Sequence, residues 1–386
     1  MGSNGKKTRG YFHFMNIFYV LARKDFFELG VNGRVSHARG IIQGLVNNNV
    51  NVTVFSSKSA SNYCNELAIY EKISGASILW YFNLIFSLLK KRKVSDFIIV
   101  RYSTSLGWFF CVFLNIFVGK KWGFELNGLG YHQLKGKHSF IEKILFHFER
   151  YVISKAPFVN CVSNSLSEEV KEVNSSVTTL PNAGYELNGL AESVIFEPSS
   201  DTLNIVYMGM YHSYYDLVTF SKIISGLDGV NLHLYGSGSQ ELELNAIAKS
   251  SSNVFIHGRY DFDKLVGSGD LNGKTLLVLP YKSGTVADYG SPTKLFEYLS
   301  LALPILSTCV GQPKDILEPL KSNVTNSVFF YENSALINVI EELKRKDLFL
   351  NRHEILNYYS SNHTWSSRCE QYLIKISDFI DSTYEN

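Results

Sequence analysis

Apolar and polar positions along this chain follow two alternating periods. Short apolar runs of strand length occur at 16–21, 50–55, 97–100, 122–126 and 158–162. Between them lie longer segments whose apolar residues recur every three or four positions, as at Val35, Ala38, Ile42, Leu45 and Val46. The segments starting at Leu106 and spanning 141–154 read as helices of the same kind. The rhythm restarts near residue 203, with strands at 203–208, 232–235, 254–257, 276–279 and 304–307 and helices at 217–224 and 292–301. Strands alternating with helices predict parallel sheets covered by helices. A polar stretch at 180–200, with Pro181, Gly184, Gly189 and Pro198, reads as a linker between the two series. The segment 365–379 reads as a last amphipathic helix.

The length, 386 residues, exceeds the roughly 250–300 at which one core divides. The expected division is a first Rossmann-like domain over 11–185, a second over 186–364, and a terminal helix, 365–386, returning toward the first. Hydrophobic content of 45% against 19% charged excludes a disordered chain. Met1 to Gly10 are polar and basic and carry no fold signal, whereas Met15 to Val20 reads as a natural start. No run reaches the roughly 18–20 apolar residues of a membrane span; the longest, 106–118, is interrupted by Asn115. Cys64, Cys111, Cys161, Cys309 and Cys369 form no C-x-x-C pair and no zinc-ligand spacing. They read as reduced thiols of a cytoplasmic protein, mostly small core residues.

Charge adds an asymmetry that the net value of +2 hides. Residues 1–185 hold 22 Lys and Arg against 11 Asp and Glu, a net +11, and the rest hold 15 against 24, a net −9. A basic half suits anionic lipid, nucleic acid or a phosphate-bearing substrate, or is simply a solvated surface. The aromatic segment 79–93 ends in Lys90, Lys91, Arg92 and Lys93. It reads either as a helix lying on an anionic membrane or as a core helix whose basic last turn satisfies its dipole.

The sharpest local pattern is Gly290-Ser291-Pro292-Thr293-Lys294-Leu295-Phe296-Glu297-Tyr298-Leu299, followed by Leu303-Pro304-Ile305. Ser291 is a good N-cap and Pro292 suits a first helical turn. The N–H groups of Thr293 and Lys294 would then face an anion such as a diphosphate, helped by the helix dipole and the Lys294 charge. Glu297, three residues on, lies on the same face and is able to accept from ribose hydroxyls or to pair with Lys294. In the first half, Glu125 and Asn127 end an apolar strand, where α/β folds place ligand sites, and His132 follows. Glu125 or His132 is a candidate to take a proton from an acceptor hydroxyl or to position it; an exposed loop histidine is the alternative for His132.

Ser291 to Tyr298 with Leu303-Pro304-Ile305 resembles the donor-site signature of family-4-type retaining glycosyltransferases of the GT-B fold, which often build surface polysaccharides. The resemblance extends over most of the chain. Gly33 to His37 is similar to the family's glycine-rich acceptor loop, with Gly33, Arg34 and His37 as acceptor-side candidates. Leu180 to Gly184 resembles the end of its first domain, and Val206 to Gly209 and Leu234 to Gly238 resemble the opening of its second. The resemblance implies two Rossmann-like domains facing each other across a cleft, a nucleoside-diphosphate-sugar donor, and a glycan or lipid-linked acceptor. It also implies transfer with retention and no metal or other cofactor. By it Glu297 binds the ribose, Ser291, Pro292, Thr293 and Lys294 hold the diphosphate, and Gly209 lies close to the phosphates. The family's acidic residue eight positions before the second Glu is replaced by Tyr289, and its Arg and Lys after the first donor-domain strand are missing from 208–215. Charge at the diphosphate would then come from Lys294, Arg259 or Lys282. Peripheral contact with the inner membrane surface is expected and nucleic acid is not. The alternatives are a sugar-nucleotide epimerase or hydrolase of the same architecture, and a non-catalytic membrane or nucleic-acid binding module.

Overall fold

The computed structural model describes residues 15–24, 26, 33–57, 68–75, 77–134, 139–186 and 189–384. The chain divides into two compact units: the first comprises Met1–Tyr185, Tyr289–Ser291 and Thr364–Asn386, the second Glu186–Asp288 and Pro292–His363.

In the first unit the chain runs β1 (Asn16–Leu21), α1 (Gly33–Asn47), β2 (Asn51–Ser56), β3 (Ile69–Lys72), α2 (Ser77–Lys91), β4 (Phe97–Arg101), α3 (Gly107–Phe117), β5 (Trp122–Leu126), α4 (Gly130–Leu134), α5 (Ser139–Ser154), β6 (Val159–Cys161), α6 (Asn164–Lys171) and β7 (Val177–Thr179). The strands form one parallel sheet in the order β3-β2-β1-β4-β5-β6-β7. Its central strands are buried on both faces, which is why they read as unbroken apolar runs. Arg101 and Glu125 are the charged exceptions, and the β4–β5 register sets them opposite each other. On one face α2, α3, α5 and α6 supply a core of Trp80, Leu84, Phe110, Leu114, Ile153 and Leu166. On the other, α1 packs with the terminal helix around Trp365.

The second unit runs β8 (Leu203–Met208), α7 (Leu217–Ile224), β9 (Val230–Tyr235), α8 (Glu241–Lys249), β10 (Val254–Gly258), α9 (Phe262–Ser268), β11 (Lys274–Leu279), α10 (Thr293–Leu301), β12 (Ile305–Thr308), α11 (Gly311–Asn323), β13 (Val328–Tyr331), α12 (Leu336–Arg345) and α13 (Arg352–Asn362). Its parallel sheet has the order β10-β9-β8-β11-β12-β13. Arg352 pins α10 from outside, donating to the carbonyl oxygens of Leu301 at 3.0 Å and Ala302 at 3.2 Å. These are end-of-helix carbonyls that have no intrahelical partner.

The last element, α14 (Trp365–Tyr384), belongs to the first unit and lies along α1. Gly40 and Gly44 permit this: a Cβ on Gly40 would stand 1.9 Å from the Trp365 ring, and one on Gly44 2.4 Å from the Trp365 carbonyl oxygen. The expected two α/β units and the returning helix are thus present. No helix among the described residues is long and apolar enough to cross a membrane. Cys111, Cys161 and Cys369 are buried free thiols and Cys309 is an exposed one; Cys64 and Met1 to Gly10 lie outside the described residues.

Candidate functional site

In the second unit the candidate residues lie at C-terminal ends of strands and at the start of α10: Gly209 follows β8, Arg259 follows β10, Lys282 follows β11, and Pro292 to Glu297 open α10. Pro292, not Ser291, occupies the N-cap of α10, and it makes no side-chain capping bond. The Ser291 hydroxyl instead accepts from the Asn182 backbone N–H at 2.9 Å, a bond within the first unit. Proline has no side-chain acceptor, so the first N–H groups of α10 receive no cap from it.

One residue into that helix, Lys294 is buried, 7% exposed. Its ammonium lies 4.0 Å from the ring centre of Tyr207 and 3.9 Å from that of Tyr215, and it donates to the Tyr207 hydroxyl. Among the described residues no carboxylate ion-pairs with it; the aromatic faces hold the charge. Burial pushes its pKa well below the ordinary lysine value, and the charge of Glu297 only partly opposes this. Gly209 sits directly over the ammonium: a Cβ there would lie 2.6 Å from Nζ, and its φ of +138° is a conformation for glycine. A glycine at 209 therefore lets the ammonium come close to the backbone after β8, where any side chain would collide with it.

Glu297, half-buried on the next turn, is a neighbour of the Tyr260 hydroxyl. Burial raises its pKa, against the pull of Lys294 and Tyr260. Arg259 is exposed and its Nε donates to the Ser237 hydroxyl at 3.3 Å. Lys282 pairs with Asp216 at 3.5 Å. Of the three cations that the sequence offered for a diphosphate, one is already paired with a carboxylate, one lies on the surface, and Lys294 is buried with no ion pair among the described residues.

In the first unit Glu125, fully buried, accepts from four side chains. The Tyr19 hydroxyl stands 3.0 Å from Oε2; His37 Nε2 at 3.0 Å, Arg101 Nη1 at 3.1 Å and Asn127 Nδ2 at 2.9 Å converge on Oε1. Burial alone would raise its pKa. The charges of His37 and Arg101 and the hydrogen bonds from His37 and Asn127 outweigh burial and hold the carboxyl at about 2. A carboxylate so enclosed is a weak base, and its lone pairs are occupied. The other ring nitrogen of His37, Nδ1, meets the Asn182 side-chain oxygen. Tyr19, Arg101 and Asn182 are members of this network that the sequence reading missed.

His132 is not an exposed loop histidine: it is 9% exposed on α4 and pairs through Nε2 with Glu169 Oε2 at 3.0 Å. Burial raises the Glu169 pKa, but hydrogen bonds from His132 and Tyr131 bring it below the ordinary value. The short α4 is held in place by buried Glu149, which accepts from the Gly130 N–H at 3.1 Å and the Tyr131 N–H at 3.2 Å. Gly33 and Arg34 are exposed at the start of α1. No group of three or more His, Cys, Asp or Glu side chains among the described residues is placed to hold a metal ion.

No family model matches the chain, and no curated protein matches it. Solved structures do. The fold is similar to that of lipopolysaccharide outer core galactosyltransferase WaaB in its apo form, with a TM-score of 0.66 and 15% identity over 94% of this chain and 99% of that one. It is similar to sucrose-phosphate synthase from Thermosynechococcus elongatus, with a TM-score of 0.63 and 13% identity over 95% and 100%. HepE from Anabaena, solved in complex with UDP-glucose, aligns with a TM-score of 0.59 and 12% identity over 96% and 99%. The fold of this chain is the GT-B fold of these glycosyltransferases.

Proposed function

We propose that this protein is a glycosyltransferase that takes a sugar from a nucleoside-diphosphate sugar and gives it to a hydroxyl of a glycan or lipid-linked acceptor. The observation that carries the reading is Lys294, a buried cation at the start of α10, packed beside Gly209 and with no carboxylate ion-paired to it among the described residues. A diphosphate would supply the missing anion. In a dry site that charge pair is worth far more than in water, and it stabilises the negative charge that develops as the anomeric bond to the diphosphate breaks. The first N–H groups of α10 add to it. To Glu297 and Tyr260 we assign the ribose hydroxyls, with Arg259 and Ser237 as neighbours of that site.

To the first unit we assign the acceptor. Its hydroxyl loses a proton as its oxygen bonds to the anomeric carbon, and the His132–Glu169 pair is the base that we assign to that proton. Glu125 has the role of positioning residue for His37, Arg101 and Asn127. Gly33 and Arg34 are the exposed acceptor-side candidates. The resemblance to family-4-type enzymes supports transfer with retention, without metal, in cytoplasmic synthesis of a surface polysaccharide. The basic first half supports peripheral contact with the inner membrane surface.

The reading is tested by incubating the protein with UDP-, GDP- and dTDP-sugars in chelator, with and without a lipid-linked oligosaccharide. Sugar transfer that requires the acceptor supports it; a sugar changed or released from donor alone would mark an epimerase or hydrolase. The variant Glu297→Ala should lose most donor binding, and unchanged affinity would remove Glu297 from the site.

A further inference from the structure

The large apolar side chains that the described residues leave in solvent are concentrated on three helices of the first unit. On α2, Ile78, Phe82 and Phe86 are 69%, 54% and 71% exposed. On α3 the corresponding set is Trp108, Val112 and Ile116; on α5 it is Phe140, Ile144 and Phe148, all exposed. In each helix the three residues are spaced four apart, so they form one outward stripe on a helix whose opposite side is in the core. The stripes are neighbours. Phe82 of α2 meets Phe109 of α3 edge to face at 6.1 Å, and α3 packs on α5, where Cys111 Sγ lies 3.6 Å from the Val152 carbonyl oxygen. Monomeric proteins rarely cluster so many large apolar side chains in water without a use for them.

The charge around this face says what covers it. All three helices connect parallel strands of one sheet, so their C-termini lie toward the same edge. Lys90 and Lys93 follow or end α2, Lys120 follows α3 and Lys155 follows α5, and all four are exposed. Over residues 77–155 Lys and Arg outnumber Asp and Glu twelve to four; two of those four, Glu125 and Glu149, are fully buried. Helix dipoles account for cations at helix ends, but not for the exposed aromatic stripes beside them. An aromatic, aliphatic face edged by cations complements a bilayer with anionic headgroups.

We infer that the outer face of α2, α3 and α5 is a membrane-docking surface for an anionic lipid bilayer, with the three apolar stripes entering the headgroup boundary and the row of helix-end cations meeting the lipid phosphates. The inference deepens the peripheral contact proposed above and moves it from a single helix to three. It does not depend on donor chemistry, so the two can fail separately.

The test is flotation of the full chain with phosphatidylcholine vesicles and with vesicles in which phosphatidylglycerol replaces part of the phosphatidylcholine. The wild type is expected to float with the anionic vesicles and much less with the neutral ones. The charge variant Lys93→Glu/Lys120→Glu should lower partitioning about thirtyfold or more, since each cation near the surface contributes about fivefold. The apolar variant Phe86→Ser/Ile116→Ser/Ile144→Ser should abolish it, while cooperative thermal unfolding and far-UV circular dichroism of both variants stay like wild type and report an intact fold. Wild-type protein that fails to float, or variants that float like wild type, would overturn the inference. So would a wild-type dimer that the apolar variant converts to monomer with vesicle binding unchanged, because the face would then join two copies of the chain.

Discussion

The molecule buries two charges of opposite sign in different ways. Glu125 in the first unit is enclosed by Tyr19, His37, Arg101 and Asn127. Lys294 in the second has two tyrosine faces, one hydroxyl and no carboxylate paired with it among the described residues. A buried charge whose partners are all internal is architecture: removing it strands the partners. A buried charge left short of a counter-ion costs stability until a ligand supplies one. Under the function proposed above, the difference separates a scaffold residue, Glu125, from a donor-binding one, Lys294.

If that contrast is right, the largest effect on folding belongs to Glu125. Glu125→Ala should lower stability by about 3–5 kcal/mol, the usual consequence of breaking a buried pair from one side. Urea denaturation measures it, and the variant that still folds should bind nucleotide like wild type.

Lys294→Met should do the reverse. The fold loses a costly buried cation and is no less stable, while nucleoside-diphosphate affinity falls by about tenfold to a hundredfold, the range of one hydrogen bond to a charged group. Gly209→Ala sharpens the point by keeping the lysine while pushing its ammonium out of position. Its Cβ would stand 2.6 Å from Nζ, and affinity should drop by about tenfold for the same lost bond; titration calorimetry reads both variants.

The smallest effects are in pH dependence. The Glu125 carboxyl is lowered from 4.5 to about 2, so the stability it contributes is present above 4.5 and is lost as pH falls toward about 2. Lys294 is also lowered, from 10.5, which for a cation is a penalty. That penalty is complete at low pH and is relieved as pH rises toward 10.5, so stability rises with pH there. Glu125→Gln should flatten the acid limb and Lys294→Met the alkaline one, each without changing the other, as urea midpoints across pH would show.

Much of the architecture was legible in the sequence because parallel strands buried on both faces leave unbroken apolar runs and the helices between them keep a helical period. The first strand, Asn16–Leu21, and the opening strand of the second series, Leu203–Met208, were read at their observed bounds. The strands at Ile69–Lys72 and Val177–Thr179 were not, since they are short, partly exposed edges with mixed polarity. Ser291 read as a cap because its residue type favours one, whereas Pro292 takes that position and Ser291 bonds elsewhere. The partners of Glu125 were beyond any local pattern. Arg101 meets it through strand register, and Tyr19 and His37 come from 106 and 88 positions away. Lys294 was visible as a cation at a helix start, but its tyrosine enclosure depends on Tyr207 and Tyr215, which only the fold brings to it.

The most direct test of the central claim is calorimetric titration of UDP, GDP, dTDP and CMP into wild type and Lys294→Met, in chelator. The account predicts saturable binding of one nucleoside diphosphate by the wild type and a loss of about tenfold or more in a folded Lys294→Met. Binding by no nucleotide at millimolar concentration, or equal binding by both proteins, would contradict it.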